Sequence, residues 1–177
     1  MDVMLMKALT QAGAFSAVSL AAVGSALGCG AAGAAAVGAW KKCYAQNKPA
    51  PFQLMVFAGA ALTQTIYGMI VMFFINGRVA DSYTAWPLFL LMGILGGIAM
   101  GMSAWMQGKA AAGACDAQAD TGKGFTNYLL VLGIIETVAI FVMVFVMILL
   151  ASVTKVDSSA VDSAAAKGAT AVEQTTK

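Results

Sequence analysis

The sequence predicts an all-α integral membrane protein of four helices, built as two repeated helical hairpins, and three observations carry that expectation. Hydrophobic residues make up 60% of the 177-residue chain and charged residues only 10%, against about 45–50% and about 25% in an ordinary soluble domain. The apolar residues fall in four charge-poor runs, each long enough for the roughly 20 residues that cross hydrocarbon as a helix. Alternating strands of about ten residues, the mark of a membrane barrel, are missing from the pattern, which leaves the helix to satisfy backbone groups in lipid. Composition also excludes function classes. A dispersed net charge of +2 is no footprint for nucleic acid, and a chain without histidine has no histidine-based metal or acid–base chemistry.

The first span is expected at about residues 12–39. Lys7 precedes it in the manner of a signal peptide, but the apolar run continues far beyond a short h-region, so it reads as a membrane helix. Its small residues Gly24, Gly28 and Ala32 recur every four positions. Lys41, Lys42, Lys48, Pro49 and Pro51 mark the first loop. The second span, about 53–75, is rich in bulky and β-branched residues and ends at Asn76, Gly77, Arg78 and Asp81. The third, about 87–107, carries Gly93, Gly97 and Gly101 on one face, where a neighbouring backbone can approach closely. Asp116, Asp120, Gly122 and Lys123 are assigned to the third loop, and the bulky fourth span runs over about 128–153. The two hairpins are thus 1–82 and 83–155, and Gln64-Thr65-Ile66 falls over Glu136-Thr137-Val138 as a duplicated pair would place it. Residues 156–177, rich in Ala, Ser and Thr with isolated charges, read as a polar flexible tail. Three lysines and no acid in the first loop put the first and third loops in the cytoplasm and both termini outside.

Every Asp and Glu is expected in a loop or terminal segment except Glu136, which falls within the fourth span among Ile134, Ile135, Val138 and Ile140. A charged residue near the centre of a membrane helix costs about 2.5–3.5 kcal/mol on insertion scales, and such residues usually mark an ion or proton path. Helix glue is the plainer alternative. On the second span Ala60, Thr63, Gln64 and Tyr67 lie at i, i+3, i+4 and i+7, so a hydroxyl, an amide and a phenol share one face, and Gln107 closes the third span. Two amide oxygens, a hydroxyl, a carboxylate and a backbone carbonyl would suit a hard cation such as sodium, whereas a proton needs only the carboxylate and one acceptor. Cys29, Cys43 and Cys115 form no CxxC pair and read as small packing residues.

The motifs Thr63-Gln64-Thr65-Ile66-Tyr67-Gly68, Gln107-Gly108-Lys109-Ala110 and Ile135-Glu136-Thr137-Val138-Ala139-Ile140 occur in that order. With them the chain resembles, over almost all of 12–153, the proteolipid ring subunit of V-type rotary ATPases in its duplicated-hairpin, four-helix form. The resemblance implies a homo-oligomeric ring in the lipid bilayer, with a stator membrane subunit and a central-stalk subunit as partners. It also implies a site in which Thr63, Gln64, Gln107, Glu136 and the carbonyl of Ala60 hold Na+, with the Tyr67 hydroxyl steadying the glutamate. Ala60 stands where the family has leucine, a change that a backbone ligand tolerates. The implied role is non-catalytic ion translocation coupled to ATP hydrolysis or synthesis, with H+ as the variant ion. The chain has no glycine-rich phosphate loop and is expected to bind no nucleotide. Two rival readings are a small multidrug-type secondary transporter, working as a dimer around an aromatic-lined cavity, and a structural tetraspan protein.

Overall fold

The computed structural model describes residues 1–153; the expected tail at 156–177 lies outside the described residues. Among the described residues all regular structure is helical, in the order α1 (Val3–Ala45), α2 (Leu54–Gly59), a 3-10 turn (Ala60–Leu62), α3 (Thr63–Asn76), a second 3-10 turn (Tyr83–Ala85), α4 (Trp86–Thr121) and α5 (Phe125–Ser152). These make four apolar spans, with α2, the first 3-10 turn and α3 forming one of them. The chain is an integral, multi-pass membrane protein.

Two helices overrun their expected ends. The 43 residues of α1 and the 36 of α4 extend about 64 Å and about 54 Å at 1.5 Å per residue, well beyond the roughly 30 Å of hydrocarbon. Lys41 and Lys42, expected in the first loop, ride on the last turns of α1, while Asp116 and Asp120, expected in the third, ride on α4. Gln107 accordingly lies inside α4 and does not end it. The physical reason is that charge ends a segment's solubility in lipid without ending its helicity. Helicity stops only where the backbone turns left-handed, at Gly122 (φ 65°) and Gly124 (φ 90°) after α4 and at Asn47 (φ 52°) after α1. Outside the hydrocarbon the two helices stay side by side, tied by Lys42 Nζ to Asp120 at 2.6 Å.

The α1–α4 seam is parallel and made of backbone. A Cβ on Gly13 would sit 2.6 Å from the Phe89 carbonyl oxygen, and one on Gly97 would sit 2.7 Å from that of Ser16. Gly24 meets Gly101, Gly93 meets Gly13 and Gly108 meets Gly28 in the same way. The glycine row read from the sequence is therefore this seam, flanked by buried Ala14, Ala17, Ala21, Ala32 and Ala36. The second span packs antiparallel on α1, with Gly68 over Ala17 and Ala61 beside Gly28. Helix α5 packs against α4 and α3, and buries only Leu132, Ala139, Val146 and Leu150. Its Leu130, Ile134, Phe141, Phe145 and Ile148 face outward, as a lipid-facing helix requires.

Two apolar clusters fill the bundle. One, at the loop end, gathers Ala32, Leu54, Phe57, Ala111 and Leu132; Phe57 stacks there with Phe125 at 5.3 Å. The other gathers Ala17, Val71, Phe89, Met100, Ala139 and Leu150. Between them lies a polar layer.

Candidate functional site

Helix α3 begins with a local irregularity. The 3-10 turn Ala60–Leu62 interrupts the span just before Thr63, whose Oγ1 donates to the Ala60 carbonyl at 3.3 Å and to Gln64 Oε1 at 3.3 Å. One helical face then presents Gln64 and Tyr67 toward α4 and α5. Gln64 Nε2 donates to Gln107 Oε1 at 2.6 Å, which joins α3 to α4. Gln107 Nε2 donates onward to Glu136 Oε2 at 3.3 Å and to the Leu132 carbonyl at 3.1 Å, which joins α4 to α5. Tyr67 Oη closes the circuit by donating to Glu136 Oε1 at 2.7 Å.

All the sequence-predicted residues are thus brought together: Ala60, Thr63, Gln64, Gln107, Glu136 and Tyr67 form one hydrogen-bonded chain across three helices. Burial makes these bonds matter. Gln64 is 0% and Gln107 1% exposed, and an amide left unpaired at such depth costs about 1–3 kcal/mol per polar group. Glu136 is only half-buried, with its helix on the lipid-facing side of the bundle. The site is therefore a carboxylate whose inner flank is polar and whose helix neighbours Ile134 and Val138 are exposed and apolar.

The oxygen inventory is specific. Glu136 supplies two oxygens, Gln64 Oε1 and Thr63 Oγ1 one each, and the Ala60 carbonyl another. Gln107 Oε1 already accepts from Gln64, yet a carbonyl oxygen has a second lone pair to offer. One formal negative charge among neutral oxygens matches a single positive charge, carried by a monovalent cation or a proton.

Sequence reasoning missed Ser103. Its Oγ donates to the Ile135 carbonyl at 2.8 Å, one turn before Gln107 on α4 and one residue before Glu136 on α5. Its i, i+4 spacing from Gln107 was the available signal.

Residues 90–149 match the model of the ATP synthase C-subunit family. The matched stretch spans nearly all of α4 and α5, so it contains Ser103, Gln107 and Glu136 but not the α3 half of the site. It supports a proteolipid and with it an ion-translocating, non-catalytic ring component of rotary ATPases. Proteins of that family form homo-oligomeric rings that work with stator and stalk subunits. The match favours a ring component over the multidrug-type carrier. No curated protein matches the chain.

Proposed function

We propose that this chain is the ring proteolipid of a V-type rotary ATPase, with two hairpins fused in one polypeptide, and that it carries Na+ on Glu136. The observation that carries the reading is the closed polar circuit in the middle of an apolar bundle, in which one carboxylate is joined by hydrogen bonds to Tyr67 and Gln107 and through Gln107 to Gln64 and Thr63. An ion loaded from one side cancels the charge of Glu136, and the neutral site then faces lipid as the ring turns. A bare carboxylate there would meet a large desolvation cost, so an empty site is confined to the stator interface. A fixed positive charge on the stator would compete for Glu136 and release the ion. Rotation thereby couples ion flow to ATP turnover on other subunits.

The charge distribution supports cytoplasmic first and third loops. Among the described residues, Lys41, Lys42, Lys48, Lys109 and Lys123 lie in that half of the bundle, against Lys7 and Arg78 in the other. A proton is the second reading. A proton on one Glu136 oxygen would neutralise it as a cation does, and the Tyr67 oxygen 2.7 Å away is an acceptor for that proton once its own hydroxyl turns aside.

Carbodiimide labelling of Glu136 in detergent-solubilised protein separates the two, because the reagent attacks a protonated carboxyl and spares an ion-bound one. Protection by millimolar sodium and not by potassium, at a pH where the unprotected protein labels, is the expected result. Labelling that follows pH and ignores sodium would assign the site to the proton. Tyr67→Phe is expected to weaken sodium protection about 10-fold or more, since a hydrogen bond to a charged group contributes about 1.5–3 kcal/mol. Sodium titration of the labelling rate reads this, and an unchanged midpoint would remove Tyr67 from the site.

A further inference from the structure

We propose that Ser103 is a positioning residue that locks the turn of α5 bearing Glu136 against α4, so that the carboxylate changes partners without its helix rotating. The inference rests on the ion-carrying reading of Glu136. Hydroxyls within helices commonly turn back on their own helix: buried Thr10 donates to the Met6 carbonyl at 3.0 Å and the more exposed Ser16 to that of Ala12 at 2.7 Å. Ser103, only 6% exposed, reaches across to the neighbouring helix and gives its proton to the Ile135 carbonyl.

The position of that bond is what matters. The carbonyls of Leu132 and Ile135 belong to the helical turn that leads into Glu136, and each accepts a side-chain proton from α4, one from Gln107 and one from Ser103. Both use the second lone pair that a helical carbonyl retains after its own ladder bond. Gln107 divides its Nε2 between the Leu132 carbonyl and the carboxylate itself. Its bonds must be redistributed whenever the carboxylate takes up or gives up its ion. Ser103 touches only backbone, so its bond is the same in the loaded and empty states. A helix with few buried side chains, as α5 is, would otherwise be free to turn about its axis by the reach of one hydrogen bond and carry Glu136 away from Tyr67 and Gln107.

Ser103→Ala in the intact ring is expected to raise the sodium concentration for half-protection of Glu136 by about 3- to 10-fold, the effect of one net hydrogen bond. Ring mass should be unchanged. The isosteric pair Ser103→Thr and Ser103→Val provides the second comparison, because only the former keeps a hydroxyl at the same bulk; Thr should stay near wild type and Val should follow Ala. Equal behaviour of Thr and Val, or a lowered thermal midpoint with sodium protection unmoved, would overturn the proposal. If the wild-type ring ignores sodium, the sodium reading fails by itself, and the same variants are then compared by the pH midpoint of labelling. A midpoint displaced in Ala and Val but not in Thr supports the positioning role, and coincident midpoints end it.

Discussion

Replacing Glu136 by Gln is expected to abolish carbodiimide labelling at this site and reduce ion-coupled ATP turnover to background, while the ring remains assembled. The energetics point in opposite directions for function and stability. A charge near the centre of a membrane helix costs about 2.5–3.5 kcal/mol, a cost that the neutral amide largely avoids. Against this, the amide has one oxygen where the carboxylate has two, so either the Tyr67 bond or the Gln107 bond loses its acceptor, at about 1–3 kcal/mol. The two changes nearly offset. A thermal midpoint close to wild type, together with complete loss of coupling, is thus the signature of an ion carrier. A structural tetraspan protein would show the reverse, and coupled turnover that survives Glu136→Gln would overturn the rotor reading.

The second large effect is expected at the α1–α4 seam. In Gly24→Ala the new methyl would run into the backbone of Gly101, where no flexible side chain is available to give way. Overpacking of ordinary side chains costs about 1–3 kcal/mol, and two backbones in contact place this substitution at the top of that range or above it. We expect a strongly lowered thermal midpoint in detergent and loss of the intact ring from native mass spectra. Gly113→Ala adds the same methyl to an exposed helical position with nothing within 4 Å. It should be neutral or stabilising by up to about 1 kcal/mol, since alanine is the better helix former. If the two variants behave alike, the seam is not where the fold's tightest constraint lies.

The four spans could be read from the sequence because lipid-facing helices must be apolar along their whole buried length, and hydropathy records that directly. Their ends could not be read the same way. Lys41, Lys42, Asp116 and Asp120 mark where lipid stops, yet α1 and α4 continue past them until a residue with positive φ ends the helix. The Ala60–Leu62 turn was hidden for a different reason: Ala-Ala-Leu contains no breaker of its own, and a single Gly59 before it is compatible with an unbroken helix. At the site, Glu136 stood out as an acid in an apolar run, and periodicity aligned Thr63, Gln64 and Tyr67. Gln107 stood out as an amide closing the third span, and the resemblance to V-type proteolipids joined it with the others in one ligand set. Which atom of Gln107 faces Glu136, and that Ser103 reaches Ile135, depend on the register of α4 against α5. Register is a property of two helices together, and neither helix encodes it alone.

In mechanical terms, α1 and α4 form a rod and α5 is a lighter member tied to it. Glycine brings the first two backbones into contact at several points with mostly small side chains beside them, and the pair continues as a double strut beyond the hydrocarbon to its tie at Lys42 and Asp120. A twisting load applied at the loop end travels along that strut with little bending. Helix α5, seated by four buried side chains, depends for its hold at Glu136 on the ties from Ser103 and Gln107. In a rotor, stiffness for transmitting torque and the seating of the ion-binding carboxylate would thereby fall to different helices of the same chain.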